Sequence, residues 1–193
     1  MDKKNIKKNL IIEKSIGLMY LNGYNGTSVK DITDAAGIPK GSFYNYFIGK
    51  EQYAINAIDF YEENINCLVE TLENNNLKPL DRIKNFYKEK IKILEERGVE
   101  YGCFVGNLSE EVGNNNENIS KRADEFHKKI ESVIVKNLII AEKENMLKKN
   151  VSPKILGDFI LISWQGALLR AKVAKNILPV EEFYEVLTKE LLI

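Results

Sequence analysis

Residues 28–47 read SVKDITDAAGIPKGSFYNYF, and this stretch decides the fold. Ser28 followed by Asp31 forms a capping box, in which each side chain pairs with a free backbone N–H of the first helical turn. Gly37 ends the short helix, because glycine takes a positive φ without steric cost. The expected buried stripe of this helix is Val29, Ile32, Ala35 and Ala36.

A second helix is expected over Pro39–Tyr46, with Phe43 and Phe47 turned inward. Two helices joined by a short turn containing glycine match a helix-turn-helix, whose second helix enters the DNA major groove. The positions left facing outward are Lys40, Gly41, Ser42, Tyr44, Asn45 and Tyr46. The side chains expected to hold the phosphate backbone at the two edges are Thr27, Ser28, Lys30 and Lys50.

Charge is distributed unevenly along the chain. Residues 1–50 carry eight lysines and four acidic residues, a net charge of +4, whereas the whole chain balances 28 Lys+Arg against 28 Asp+Glu. A basic head favours double-stranded DNA as the partner. No arginine precedes Arg82, so the commonest reader of guanine is absent from the head. With Asn45 available for adenine and Lys40 for guanine, we expect an A/T-leaning palindromic operator.

Beyond the head, apolar residues recur at helical spacing, which predicts an all-α protein of about nine helices. We expect residues 1–50 to form a helix-turn-helix DNA-binding domain and residues 51–193 a helical effector-binding and dimerisation domain. The other predicted helices are Ile6–Leu21, Glu51–Leu72, one opening at Pro79, Phe104–Val112, a long helix carrying Ile119 to Leu138, one starting at Asn150–Pro153, and Val180–Leu192 after a break at Pro179.

Composition excludes several classes of protein. A chain of 193 residues with 44% hydrophobic and 29% charged residues is typical of a globular protein. No apolar run approaches the ~18 residues of a membrane span, and the start of the chain resembles no signal peptide, so we expect a cytoplasmic protein without a membrane partner. Two cysteines and one histidine cannot build a disulfide framework or a Cys/His zinc site. We expect no metal and no cofactor.

The last two predicted helices are apolar enough to form a homodimer interface. Small residues among the large ones permit close approach of two helices, although burial in a core explains much of the same pattern. The residues concerned are Ile155, Phe159, Ile162, Ser163, Gly166 and Ala167.

Cys103 is the candidate sensor residue, because it lies at the predicted start of the helix Phe104–Val112. Free backbone N–H groups and the helix dipole there favour the thiolate, the reactive form. The alternative is a small buried hydrophobic residue, and Cys67 is expected to serve only in packing. Aromatic residues of the body form either an effector cavity or an ordinary core: Tyr61, Tyr87, Phe126, Phe159 and Trp164.

The run Gly23–Phe47, followed by Lys50-Glu51, closely resembles the N-terminal domain of TetR-family transcriptional regulators. The resemblance implies a homodimeric, all-helical repressor whose C-terminal domain binds a small molecule that releases DNA. It also implies that the residues matching common DNA contacts are Ser28, Lys30, Lys40, Gly41, Ser42, Tyr44, Asn45, Tyr46 and Lys50.

The C-terminal half is similar to the repressors of this family that sense electrophiles and reactive aldehydes. The similarity rests on Gly102-Cys103 with Leu108-Ser109 and Glu111-Val112, and on Trp164–Lys172. It implies that Cys103 is modified and that Lys172 participates. Related regulators keep the Gly-Cys element while binding acrylate-like or other small ligands, so the effector stays open.

Three functions compete at this point. The first is a DNA-binding repressor released by an electrophile, or by a purely non-covalent ligand with a structural Cys103. The second is an enzyme with Cys103 as nucleophile and His127 as base, which the absence of the Gly-x-Ser-x-Gly, Gly-x-Gly-x-x-Gly and Gly-Lys-Ser/Thr motifs disfavours. The third is a helical dimerisation module that no longer reads DNA. We expect no enzymatic activity and no catalytic residues.

Overall fold

The computed structural model describes residues 3–147 and 151–193. Within these ranges the predicted all-α fold of about nine helices is confirmed, and a π-helical segment, Leu187–Leu191, continues the last helix. The helices are α1 (Lys3–Asn22), α2 (Val29–Ala36), α3 (Lys40–Phe43), α4 (Lys50–Thr71), α5 (Pro79–Arg97), α6 (Phe104–Val112), α7 (Glu117–Lys143), α8 (Pro153–Ala174) and α9 (Leu178–Val186).

The described chain divides into two compact units. One contains the described part of residues 1–64 together with residues 104–126, and the other contains residues 65–103 with the described part of 127–193. The first unit therefore contains the helix-turn-helix and α6, and the second contains α5, α8 and α9. The functional boundary that we expect at residue 50 stays a prediction.

The core of the first unit forms around α1, α2 and the start of α4. Ile12, Ile32 and Phe43 are each at most 1% exposed. Ser15, on the buried face of α1, donates to the Ile11 carbonyl at 2.6 Å and lies 2.7 Å from the Tyr53 hydroxyl. The two hydroxyls therefore satisfy each other inside an apolar core, as buried polar groups must.

Two details of the helix-turn-helix differ from the sequence prediction. Ala35 is exposed and Thr33 is buried in its place, because the Thr33 hydroxyl donates to the Lys30 carbonyl at 2.9 Å and enters the core satisfied. The second helix ends at Phe43 instead of Tyr46. The chain tightens there into turns in which Tyr46 N donates to the Phe43 carbonyl at 3.0 Å. The tighter path brings Phe47 beside Tyr53, with ring centroids 5.2 Å apart.

Close helix packing in the second unit depends on Gly157 of α8. A Cβ at this position would lie 2.6 Å from Val135 Cγ2 on α7, so only glycine lets the two helices approach this closely. Ser152 caps α8 by accepting a hydrogen bond from Ile155 N at 3.3 Å. The predicted start of this helix at Asn150 lies outside the described residues.

The last helix and Cys67 also differ from expectation. Pro179 lies in the first turn of α9, where its missing N–H costs nothing, instead of breaking the chain before it. The helix continues beyond Val186 only as the π-helical segment, not as the α-helix predicted to Leu192. Cys67, expected to pack in the core, is exposed. No helix of the described chain is long and apolar enough to cross a membrane.

Candidate DNA-binding surface and effector site

The cap of α2 fixes the start of the helix-turn-helix. Asp31 N donates to Ser28 Oγ at 3.2 Å and Ser28 N donates to Asp31 Oδ2 at 2.8 Å, which is the predicted capping box. The hydrogen bonds from Ser28 lower the pKa of Asp31 and keep its carboxylate ionised. Gly37 ends α2 at φ 69°, in the left-handed region expected of it. Both ends of α2 are therefore set by local sequence.

The recognition segment, defined here as residues 40–47, has the two faces that the sequence predicts. Phe43 and Phe47 are 0% and 1% exposed, whereas the Tyr44 side chain is 55% exposed. The exposed positions are Lys40, Gly41, Tyr44 and Asn45, and the half-buried ones are Ser42 and Tyr46. One ammonium, one amide and hydroxyl groups therefore face solvent on one short segment, which is the chemistry that base edges and phosphates accept.

The flanking residues expected to hold phosphates differ in burial and in the groups that they already bind. Lys30 forms an exposed i,i+4 ion pair with Asp34 at 2.5 Å. Lys50 donates to the Tyr24 carbonyl at 2.8 Å and lies 4.2 Å from the centre of the Tyr24 ring, so it supports the turn between α1 and α2. Thr27, expected at the surface, is buried and donates to the Gly23 carbonyl at 2.7 Å.

Glu111 of α6 binds the same turn, a contact that sequence reasoning missed. Tyr24 N donates to Glu111 Oε2 at 2.6 Å and Asn25 N donates to Oε1 at 2.7 Å. Gly23 leaves room for the carboxylate, since a Cβ there would lie 2.3 Å from Oε2. One carboxylate therefore holds two consecutive backbone N–H groups just before the helix-turn-helix. No local signal marks Glu111, because its partners lie 87 and 86 positions away in the chain.

Side chains of the loop after α6 and of the start of α7 form hydrogen bonds with α4. Glu51 accepts from Asn116 Nδ2 at 2.8 Å and from Asn118 Nδ2 at 2.7 Å. Arg122 of α7 donates to Asp59 at 2.7 Å and also pairs with Glu62. The segment after α6 is therefore joined to α4 by hydrogen bonds that involve ionised groups, the stronger class of such bonds.

The aromatic residues proposed as effector contacts belong to both units. In the first unit, Tyr61 lies 5.7 Å from Phe126 and 5.8 Å from Phe104, ring centre to ring centre. In the second unit, Tyr87 lies 5.1 Å from Trp164, and both rings are at most 1% exposed. Phe159, the remaining aromatic candidate, is 52% exposed on α8 and therefore does not line a core.

Cys103 is buried, with 5% of its surface exposed, and it is followed directly by the first residue of α6. Burial lowers the pKa of Lys90, and the charge of Cys103 acts in the opposite direction, so the thiol lies near this ammonium. Lys172, expected to participate with Cys103, is half-buried in the last turn of α8. Lys90 is a second candidate for the lysine that acts with Cys103, and sequence reasoning missed it. No group of three metal-binding side chains occurs within the described ranges.

One face of α8 exposes a row of apolar residues. Their spacing alternates between four and three positions, which keeps them on one side of the helix. The row consists of Ile155, Phe159, Ile162, Gly166, Leu169 and Val173. Ala167, which was expected to belong to the same face, is 9% exposed and packs inward.

A helix-turn-helix with a polar outward face on an all-helical body defines a DNA-binding transcriptional regulator. A family profile described as "Bacterial regulatory proteins, tetR family" matches residues 11–53, and one described as "Tetracyclin repressor-like, C-terminal domain" matches residues 79–187. The chain belongs to the TetR family. Members of this family are DNA-binding proteins and not enzymes, so the predicted absence of enzymatic activity is confirmed.

Sequence and structure comparisons agree with this membership. The transcriptional repressor DhaR of Mycobacterium sp. (strain GP1) is 31% identical over 183 residues, which are 94% of this chain and 90% of the relative. A crystal structure of the regulatory protein TetR from Rhodobacter sphaeroides matches with a TM-score of 0.86 at 26% identity, over 94% of this chain and 97% of that one. The reduced form of E. coli NemR matches with a TM-score of 0.87 at 22% identity, over 97% of each.

The substitution Glu111→Ala tests the contact between α6 and the α1–α2 turn. Each of the two N–H groups loses a charged acceptor, so we expect amide hydrogen exchange at Tyr24 and Asn25 to accelerate roughly tenfold or more. The exposed neighbour Glu110→Ala is the matched control and should leave both amides unchanged. Equal exchange in wild type and Glu111→Ala, measured by NMR, would show that the two hydrogen bonds do not persist in solution.

Proposed function

We propose that two copies of this chain form a repressor that binds a palindromic DNA operator and releases it when an effector engages residues 51–193. The observation that carries the proposal is the recognition segment, in which buried Phe43 and Phe47 leave Lys40, Tyr44 and Asn45 facing solvent. The packed inward face holds the recognition segment rigid, and a rigid segment is needed to position side chains against the bases of the DNA major groove.

Each proposed DNA contact has a chemical role. Lys40 and Asn45 are the base readers, and the absence of an arginine before Arg82 supports an A/T-leaning operator. Gly41 lets the backbone approach the DNA closely. Ser28 is exposed at the start of α2, where its hydroxyl can reach a phosphate. The contacts proposed together are Ser28, Lys30, Lys40, Gly41, Ser42, Tyr44, Asn45, Tyr46 and Lys50.

The lysines at the edges contribute in two ways. Lys30 exchanges its exposed partner Asp34 for a phosphate at little cost, because exposed ion pairs contribute about 0–1 kcal/mol. Lys50 uses one ammonium proton on the Tyr24 carbonyl and retains others for DNA. Lys50 and Glu111 act on the same turn, because each forms a hydrogen bond with the backbone of Tyr24.

The apolar row on α8 supports dimerisation. Ile155, Ile162 and Val173 are 61%, 69% and 64% exposed in the single chain, and exposed residues of this size in one row mark a protein interface. Gly166, with nothing within 4 Å of an added Cβ, leaves room at the middle of the row for a second helix. A two-fold dimer also supplies the two recognition segments that a palindromic operator needs. Exposed Leu178 and Val186 extend apolar surface onto α9.

The substitution Ile162→Glu tests the dimer. It places a charge at the centre of the row in both copies, so we expect the dissociation constant of the dimer to rise roughly 30-fold or more. The single chain should still fold, because Ile162 is 69% exposed. Leu10→Glu, at an exposed position of α1, is the matched control and should leave the dimer intact. Sedimentation of Ile162→Glu as a wild-type dimer, or of the wild type as a monomer, would contradict the proposed interface.

Effector sensing is proposed at Cys103 and the body aromatics. Cys103 immediately precedes α6, and α6 carries Glu111, which binds the turn before the helix-turn-helix. A modification of the thiol therefore has a short covalent route to the element that positions the head. The effector must favour one of two states of the dimer by differential affinity.

The two cysteines provide an internal control for this proposal. We expect N-ethylmaleimide to weaken binding to the DNA flanking the chain's own gene by roughly 5–150-fold in the wild type and in Cys67→Ser, but not in Cys103→Ser. Gel-shift titrations measure this. Release from all three proteins would assign the effect to general damage. Unchanged binding in all three would overturn covalent sensing and favour a non-covalent ligand with a structural Cys103.

A further inference from the structure

Three hydrogen-bond donors share one aromatic cluster in the second unit. Tyr87 lies 5.1 Å from Trp164, and Phe183 lies 5.2 Å from Tyr87 and 5.4 Å from Trp164, ring centre to ring centre. The Lys90 ammonium lies 5.0 Å from the centre of the Trp164 ring and 5.1 Å from that of Phe86. A cation, a phenol and an indole therefore meet among otherwise apolar rings.

None of these three donors has an acceptor within the described part of the chain. The Tyr87 hydroxyl and Trp164 Nε1 are buried without a hydrogen-bond partner, on side chains that are 0% and 1% exposed. Lys90 forms cation–π contacts but no ion pair with a described carboxylate. Buried donors left unsatisfied cost free energy, and natural proteins retain them chiefly where a ligand or water completes them.

The chemistry of the donors selects the ligand. Burial lowers the pKa of Lys90 and raises that of Tyr87, so an anion that enters stabilises the charged form of the lysine while the phenol stays a donor. A neutral carbonyl compound would leave the ammonium without a counter-charge. A doubly charged phosphate would bring one charge more than the single ammonium neutralises among apolar rings. One negative charge with several acceptor lone pairs is the property of a carboxylate.

We propose that Lys90, Tyr87 and Trp164 bind the carboxylate of a small organic acid whose apolar part packs against Phe86 and Phe183. This acid is the non-covalent effector of the regulator, an assignment that rests on the proposed function. The arrangement assigns Lys90 to the charge, and Tyr87 and Trp164 to the orientation of the carboxylate.

Trp164 is the single tryptophan of the chain, so its fluorescence reports directly on the cluster. Full-length protein is titrated with the sodium salts of butanoate, hexanoate, benzoate and phenylacetate, each against its neutral amide and against sodium chloride at equal ionic strength. We expect a saturable change in emission with at least one acid and none with its amide. Failure of all four acids to saturate, or equal binding of an acid and its amide, would overturn the proposal.

Matched variants assign the binding to the three donors. Lys90→Met keeps the length of the side chain and removes the charge, and Tyr87→Phe removes only the hydroxyl. We expect each to weaken binding of the acid roughly tenfold or more, because hydrogen bonds to charged groups are lost. Lys92→Met, at an exposed position of the same helix, should bind as the wild type does. Wild-type affinity in Lys90→Met would overturn the assignment.

Stability without ligand distinguishes a binding site from a structural one. Tyr87→Phe removes an unsatisfied buried hydroxyl, so its melting temperature should equal or exceed that of the wild type. A clear loss of stability in Tyr87→Phe would show a structural role and contradict the proposal. DNA binding is measured in the same samples. Acid binding without DNA binding would overturn the proposed function alone, and DNA binding without acid binding would overturn this site alone.

Discussion

The Glu111 carboxylate holds the arrangement of the first unit, because it accepts both the Tyr24 and the Asn25 backbone N–H groups at 2.6 and 2.7 Å. Charged hydrogen bonds of this kind are about twice as strong as neutral ones. The turn that they hold also receives Lys50, and it leads directly into the capping box at Ser28. One side chain from outside the head therefore holds the turn that precedes the helix-turn-helix.

This contact belongs to the proposed route between sensing and DNA binding. Cys103 immediately precedes α6, and Glu111 lies in the last turn of that helix. The proposed carboxylate site lies in the second unit, which includes Cys103, whereas Glu111 belongs to the unit that contains the head. An effector acting near Cys103 and a change at the α1–α2 turn are therefore connected by covalent chain.

Local chemistry was predictable from the sequence, and long-range pairing was not. The capping box of Ser28 and Asp31, the left-handed Gly37 and the limits of α6 follow from neighbouring residues, and the structure confirms each of them. Glu111 escaped prediction because its partners are 87 and 86 positions away. Lys90 escaped because a lysine among apolar residues of a helix reads as a solvated cation until the rings around it are known. The early end of α3 reflects packing of Phe47 against Tyr53, which also requires tertiary structure.

The most direct test is a nuclease footprint of the wild-type protein on the DNA flanking its own gene, recorded over a series of salt concentrations. We expect two protected half-sites related by two-fold symmetry, their centres separated by about one helical turn or a multiple of it. We also expect an affinity that falls log-linearly with salt as lysines release phosphate counterions. A footprint without symmetry, or protection no stronger than on unrelated DNA at every salt concentration, would contradict a two-fold DNA-binding repressor.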